Sequence, residues 1–178
     1  MSSECWQASL HQSLSQLHNT PSKIAIMGIG NPLYGDDGVG HYIAMKLAQQ
    51  LTALDFVRVI AAGIAPESCT GQLRHFGPTL TLLIDAAGFD APAGAIRWLN
   101  REAIDGVSAS THTLPLTLLA DYIEIALNSH VRLLGIQPLQ MFFGTSLSPI
   151  AEAAADEVIE FLTSALLNLR SMKPTARK

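Results

Sequence analysis

The chain has 178 residues, a mass of 19.1 kDa, 48% hydrophobic and 15% charged residues, and a formal net charge of −4. This length fits one domain with its own core, and the small charged fraction excludes an intrinsically disordered chain. Eleven Lys and Arg stand against fifteen Asp and Glu. This balance excludes sequence-independent nucleic-acid binding, which needs an excess of positive charge.

The cysteines and the apolar segments indicate the cellular context. Cys5 and Cys69 are too few and too far apart for a disulfide framework or a zinc ribbon. No apolar run reaches the roughly 18 residues of a membrane-spanning helix, and the first residues lack the basic segment of a signal peptide. We therefore expect a cytoplasmic protein that has no membrane contact. No pattern indicates self-association, so a monomer is expected.

The chain divides into an extension, a folded domain and a tail. Residues 1–22 form the predicted N-terminal extension, in which Trp6, Leu10, Leu14 and Leu17 recur at the spacing of a short amphipathic helix. Residues 23–170 form the predicted domain. Residues 171–178 are polar and basic, and we expect them to fray.

Strands and helices alternate along the predicted domain. Apolar runs predict buried strands at 24–29, 56–61, 79–84 and 131–136, and an alternating pattern predicts an edge strand at 95–99. Helices are predicted after residue 39, at 67–76, at 114–127 and from Ser148, which suits an N-cap before Pro149. In the last two helices the residues expected to be buried are Leu114, Leu118, Ile123, Leu127, Ile150, Ala154, Val158, Phe161, Leu162 and Ala165. This alternation predicts an α/β domain whose mostly parallel sheet is covered by helices on both faces, with a site beyond the carboxyl ends of the strands.

The most informative segment is residues 28–40, GIGNPLYGDDGVG, which follow the first strand. The spacing of its glycines is too long for a dinucleotide-binding turn, and two aspartates at a helix N-terminus would repel a pyrophosphate. The same carboxylates suit a bound cation. A capping role explains one of them, and we assign that role to Asp36, which leaves Asp37 as a candidate ligand.

Two further polar residues fall at the same predicted edge of the sheet. Asp85 ends the third strand, and His112 precedes a helix; taken singly, each is equally well explained as a turn or loop residue. Together with Asp37 they provide two oxygens and one nitrogen, a set that suits Zn, Ni, Co or Mn with open positions. His41 lies one helical turn after Asp37, and we interpret it as a surface histidine of that helix.

Four motifs in order resemble the [NiFe]-hydrogenase maturation endopeptidases. They are residues 28–40, the strand end LIDA at 83–86, STHTLPL at 110–116 and GIQP at 135–138. Within that family the chain is most similar to the type that processes the large subunit of the formate hydrogenlyase hydrogenase. The resemblance implies a single three-layer αβα domain around a twisted five-stranded sheet. It also implies that Asp37, Asp85 and His112 are both the nickel-contacting and the catalytic residues.

The resemblance implies an aspartyl-type endopeptidase that cuts the C-terminal extension from a nickel-loaded large-subunit precursor. Nickel arrives within this substrate, and no organic cofactor is expected. Either the metal activates the carbonyl or a water, or an aspartate serves as general base. The chain departs from the family at 61–63, where AAG replaces the usual Asp-Gly-Gly. This loss of an acid keeps one alternative open, a non-cutting homologue that binds nickel or the precursor as a maturation chaperone.

A protein substrate needs a broad contact surface around the cleft. Leu33, Tyr34 and the run Met141, Phe142 and Phe143 are candidates for this surface. Packing of the two phenylalanines in the core is an equally good interpretation of the sequence.

Overall fold

The computed structural model describes residues 5–16, 22–104 and 115–172, and the structural statements below concern these ranges. A five-stranded sheet forms the centre of the molecule. Its strands are β1 (Ile24–Ile29), β2 (Val57–Gly63), β3 (Leu80–Ala86), β4 (Ile96–Asn100) and β5 (His130–Ile136). The bounds of β1 are those predicted, and the other four strands begin and end within two residues of prediction.

The strand order across the sheet is β2-β1-β3-β5-β4. The first three pairings are parallel, and only β4 runs antiparallel to its neighbour β5. Helices cover both faces, so the predicted α/β class with a mostly parallel five-stranded sheet is confirmed.

Six α-helices are described. They are α1 (Trp6–Ser15), α2 (Val39–Gln50), α3 (Thr70–Phe76), α4 (Arg101–Ile104), α5 (Leu116–Leu127) and α6 (Pro149–Met172). Ser148 precedes α6, and its Oγ accepts a hydrogen bond from the amide of Ala151 at 3.3 Å, which confirms the predicted N-cap. No helix in the described ranges has the length and hydrophobicity needed to cross a bilayer.

Alternate residues of the central strands enter two separate cores. Ile24 and Ile26 of β1 pack with α1, α2 and α6, whereas Ala25 and Met27 pack with α3 and α5. This alternation is the two-residue period of a strand that is buried on both faces. In the N-terminal extension, Trp6, Leu10 and Leu14 of α1 are buried in the first of these cores.

Two glycines bring α2 unusually close to the sheet. A Cβ at Gly40 would lie 2.1 Å from the carbonyl oxygen of Ile84 in β3, and a Cβ at Gly28 would lie 2.0 Å from the carbonyl oxygen of Gly40. Both positions therefore require glycine for steric reasons. This contact fixes the first turn of α2 above the carboxyl ends of β1 and β3.

Two predicted core residues are exposed. Leu118 is 53% exposed because the buried stripe of α5 consists of Leu116, Leu119, Ala120 and Ile123, and of these only Ile123 was predicted. Ile150 is 43% exposed because the buried face of α6 begins at Ala151. Leu114 lies outside the described residues.

Candidate active site

The strand order places a crevice beside the ends of β1 and β3. From β1 the chain passes through α2, on one face of the sheet, to β2, which pairs with one edge of β1. It then crosses through α3, on the opposite face of the sheet, to β3, which pairs with the other edge of β1. Such a switch point is where open α/β sheets bind their ligands. The β1–β3 ladder ends at the pair Gly28 and Ile84, whereas β3 stays paired to β5 through Ala86. Asp85 thus lies just beyond the last β1 pair.

Asp37 lies beside the end of β1, in contact with Gly30 and Asn31. It belongs to a 3₁₀ turn, Gly35–Gly38, that leads directly into α2, and its side chain is fully buried. The amide of Asn31 donates to Oδ2 at 2.8 Å, whereas Oδ1 has no hydrogen-bond partner among the described residues. Gly30 has a φ of +122°, and a Cβ there would lie 1.7 Å from the carbonyl oxygen of Asp37. The turn therefore holds one carboxylate oxygen, and no donor in the described part of the chain reaches the other.

Asp85 lies in β3, two strand positions after Leu83, and is 2% exposed. The alternation of the strand places its side chain on the face covered by α5. Its Oδ1 accepts a hydrogen bond from the amide of Ala86 at 2.9 Å. This bond is local, because its donor is the next residue in the chain, and it orients the carboxylate at the end of β3.

His112 lies outside the described residues, in the segment 105–114, so its place as a ligand stays a prediction. The chain resumes just before Leu116, which is buried in the same cluster as Leu83. The helix after His112 is thus on the face to which Asp85 points. Within the described ranges, no three His, Cys, Asp or Glu side chains are grouped so that they could hold a metal ion.

Asp36 does not cap α2, so that prediction is wrong. Its fully buried carboxylate accepts four hydrogen bonds from the segment between β5 and α6. The donors are the amides of Leu139 (2.8 Å), Gln140 (3.2 Å) and Ser148 (2.6 Å) and the hydroxyl of Ser148 (2.8 Å). These donors lie more than a hundred residues away along the chain, which is why local sequence reasoning missed them.

Backbone hydrogen bonds join the same segment to the loop before Asp36. The amide of Gly35 donates to the carbonyl of Thr145 at 3.0 Å, and the amide of Gly144 donates to that of Leu33 at 2.8 Å. The paired loops carry four exposed apolar side chains, here called the apolar rim. They are Leu33, Leu139, Phe142 and Phe143, exposed by 59–70%. The core-packing interpretation of the two phenylalanines is therefore wrong.

The sequence analysis quoted Gln137 within the motif at 135–138 but gave it no role. Its Oε1 accepts a hydrogen bond from the amide of Phe89 at 2.6 Å, and the ring of Phe89 packs over Gly135, where a Cβ would lie 2.4 Å from it. Gln137 thus fixes the loop that follows Asp85. The signal available in the sequence was a polar residue directly after a buried strand.

Comparison with known proteins gives one family. The model of the HycI hydrogenase maturation protease family matches residues 41–165. The hydrogenase 3 maturation protease of Escherichia coli K12 is 33% identical over 130 residues, which cover 72% of this chain and 81% of that protein. MJ0631 of Methanocaldococcus jannaschii is 34% identical over 90% of this chain and 97% of its own length.

The solved structures agree in fold. The [NiFe] hydrogenase maturation protease HycI from Thermococcus kodakarensis superposes with a TM-score of 0.78 at 29% identity, covering 88% of this chain and 99% of that one. HybD of E. coli, at 22% identity and a TM-score of 0.67, shares the fold. The family match covers more than half of the chain. The motifs at 28–40, 83–86 and 135–138 fall on strand ends and the segments that follow them, whereas residues 110–114 of the fourth motif lie outside the described residues. This chain therefore belongs to the HycI family of hydrogenase maturation proteases and is a peptidase.

Proposed function

We propose that this protein removes the C-terminal extension of a [NiFe]-hydrogenase large-subunit precursor, and that nickel bound in the precursor is the feature it recognises. The observation that carries the proposal is the buried carboxylate of Asp37, whose Oδ1 has no hydrogen-bond partner among the described residues. Burying such an oxygen is unfavourable unless a ligand meets it. A cation held by the substrate would meet it.

Asp37, Asp85 and His112 are the proposed nickel contacts. Asp37 follows β1, Asp85 lies near the carboxyl end of the adjacent strand β3, and His112 precedes α5, the helix on the face to which Asp85 points. One nitrogen and two carboxylates suit a divalent first-row metal with positions left for substrate ligands. Because nickel is held by the precursor, its contact with these residues fixes the scissile peptide in the crevice. Hydrolysis then adds water across the bond, hydroxyl to the carbonyl carbon and proton to the leaving nitrogen.

Two routes to the attacking water follow from these positions. Either the metal lowers the pKa of a bound water, or an aspartate of the crevice takes the proton as general base. A precursor loaded with zinc in place of nickel separates the two routes. Metal activation makes kcat depend on the metal, whereas a carboxylate base leaves kcat nearly constant once the precursor is bound.

The apolar rim is the proposed contact for the body of the precursor. Its four side chains project from the two loops that Asp36 joins, and Asp37 is the next residue along the chain. Protein surfaces that bind partners are enriched in such clustered aromatic and aliphatic side chains. A docked precursor would therefore be held next to the candidate ligand.

The test is the intact mass of a precursor before and after incubation with this protein, with nickel-loaded and nickel-free precursor in parallel. We expect loss of one C-terminal peptide from the loaded form only. Asp37→Asn should abolish this cut, whereas Asp156→Asn, an exposed acid on α6, should not change it. Cutting of both precursor forms would contradict nickel recognition. Stable binding with no cut would favour a maturation chaperone.

A further inference from the structure

Two side-chain atoms are buried without a hydrogen-bond partner among the described residues, Oδ1 of Asp37 and Nδ1 of His41. They lie four residues apart, across the junction between the 3₁₀ turn and α2, and so on the same side of one helical turn. The proposed function accounts for Asp37 and gives no role to His41. A purely surface histidine, as the sequence suggested, would have both ring nitrogens in water.

The position of His41 is defined by the end of β2. A Cβ at Gly63 would lie 3.6 Å from Nδ1 of His41 and 4.0 Å from the carbonyl oxygen of Gly30. The amide of Gly30 in turn donates to the carbonyl of Gly63 at 3.0 Å. Nδ1 therefore lies over the carboxyl end of β2, beside the end of β1. This strand end reads Ala61, Ala62 and Gly63, and none of these has a polar side chain that could pair with the imidazole.

His41, Asp37 and Asp85 thus follow one another across the ends of β2, β1 and β3. Neighbouring strands are about 4.8 Å apart, so the row spans about 10 Å, the length of about three residues of extended peptide. An extended chain presents an N–H or a C=O at every residue. Nickel midway between Asp37 and Asp85 would lie about one and a half strand spacings, roughly 7 Å, from the β2 position of His41. A metal–nitrogen bond is about 2 Å long, so a peptide group of the substrate is the partner within reach of His41.

We propose that Nδ1 of His41 hydrogen-bonds the main chain of the precursor within about three residues of the scissile bond, on the β2 side of the crevice. This inference rests on the proposed function, since it takes the precursor as the substrate. His41 is then a positioning residue that contributes to precursor binding. It takes no part in bond breaking, because the attacking water lies with Asp37, Asp85 and the nickel.

The experiment compares His41→Asn, His41→Gln and His41→Ala. The side-chain amide of asparagine can occupy the position of Nδ1 and keep its hydrogen bond. The side-chain amide of glutamine, which is one bond longer, reaches the position of Nε2 instead. KM and kcat are measured for cleavage of the nickel-loaded precursor, and the Kd of the same precursor is measured separately. One lost hydrogen bond predicts a three- to tenfold rise in KM and Kd for the Gln and Ala variants, roughly, with kcat within about twofold. His41→Asn should recover most of the affinity.

His75→Gln, an exposed histidine on α3, is the matched control and should leave KM, kcat and Kd unchanged. Wild-type KM and Kd in the Gln and Ala variants would overturn the inference. So would a fall in kcat at constant KM, or equal losses in all three variants together with a lower Tm. If the wild-type protein binds the precursor but does not cut it, the proposed function fails, and the Kd series still decides the role of His41.

Discussion

Ser148 and Asp36 are 112 residues apart in the sequence and share two hydrogen bonds, from the Ser148 amide to Oδ1 at 2.6 Å and from the Ser148 hydroxyl to Oδ2 at 2.8 Å. Ser148 is also the N-cap of α6. One buried carboxylate therefore fixes the start of the longest helix, the loop that carries the apolar rim and the turn that carries Asp37. The two aspartates of the Asp-Asp-Gly motif differ in their partners: Asp36 accepts four hydrogen bonds from the protein, whereas Oδ1 of Asp37 has no hydrogen-bond partner among the described residues.

Asp36→Asn should lower the free energy of unfolding by about 3 kcal/mol. The substitution replaces one carboxylate oxygen by an NH2 group, which cannot accept hydrogen bonds from the donors that now bind Asp36. The measurement is urea unfolding followed by circular dichroism. Asp156→Asn makes the same chemical change at an exposed position of α6 and should cost less than about 0.5 kcal/mol. Equal stability of the two variants would contradict the structural role of Asp36.

Asp37→Asn should fold with an unchanged or slightly higher Tm, although it abolishes processing. The substitution removes a buried charge whose Oδ1 has no partner among the described residues, and the asparagine oxygen can still accept the bond from the Asn31 amide. A gain of up to about 1 kcal/mol is expected, as is common when a functional site is relieved of strain. Thermal unfolding checks this. A loss of more than about 2 kcal/mol would show that the charge of Asp37 serves folding and not ligand binding.

Gly40→Ala should destabilise the protein by more than about 3 kcal/mol, because the new Cβ would lie 2.1 Å from a carbonyl oxygen of β3 and 2.5 Å from one of β1. The helix would have to move away from the strand ends and carry Asp37 and His41 with it. Gly71→Ala is the matched control, since Gly71 lies in α3 with open space around it.

The control variant should be stabilised by up to about 1 kcal/mol, the difference between alanine and glycine in a helix. Denaturant midpoints of the two variants give the comparison. A Gly40→Ala protein as stable as the wild type would mean that α2 does not depend on this close contact with the sheet.

Phe142→Ser should weaken precursor binding by about tenfold or more and leave stability within about 0.5 kcal/mol, because the side chain is 64% exposed and packs little in the free protein. Ile125→Ser on α5 is the control, being 83% exposed and outside the apolar rim. Calorimetric titration of the nickel-loaded precursor measures both variants. Equal losses of affinity in the two variants would indicate non-specific hydrophobic association and would contradict docking at the apolar rim.

The sequence patterns alone predicted the α/β class and the positions of the strands, whereas the strand order came from the structure. Buried strands read as continuous apolar runs because both faces of a parallel sheet are covered, and their alternation with helical patterns leaves few arrangements. Ser148 and Pro149 marked the start of α6 because capping is satisfied by neighbours in the chain. The position of Asp37 and Asp85 at one edge followed from the rule that parallel strands end on the same side.

Only the tertiary structure decided which of the polar residues at this edge of the sheet have hydrogen-bond partners within the protein. Asp36 and Asp37 are adjacent and chemically identical, and only the segment between β5 and α6 makes one of them a structural acceptor. Exposure of Phe142 and the burial of Nδ1 in His41 likewise depend on what other segments place beside them. The local sequence pattern indicates the type of a secondary-structure element and where it begins and ends. Whether a polar side chain finds hydrogen-bond partners depends on residues that folding brings together from distant parts of the chain.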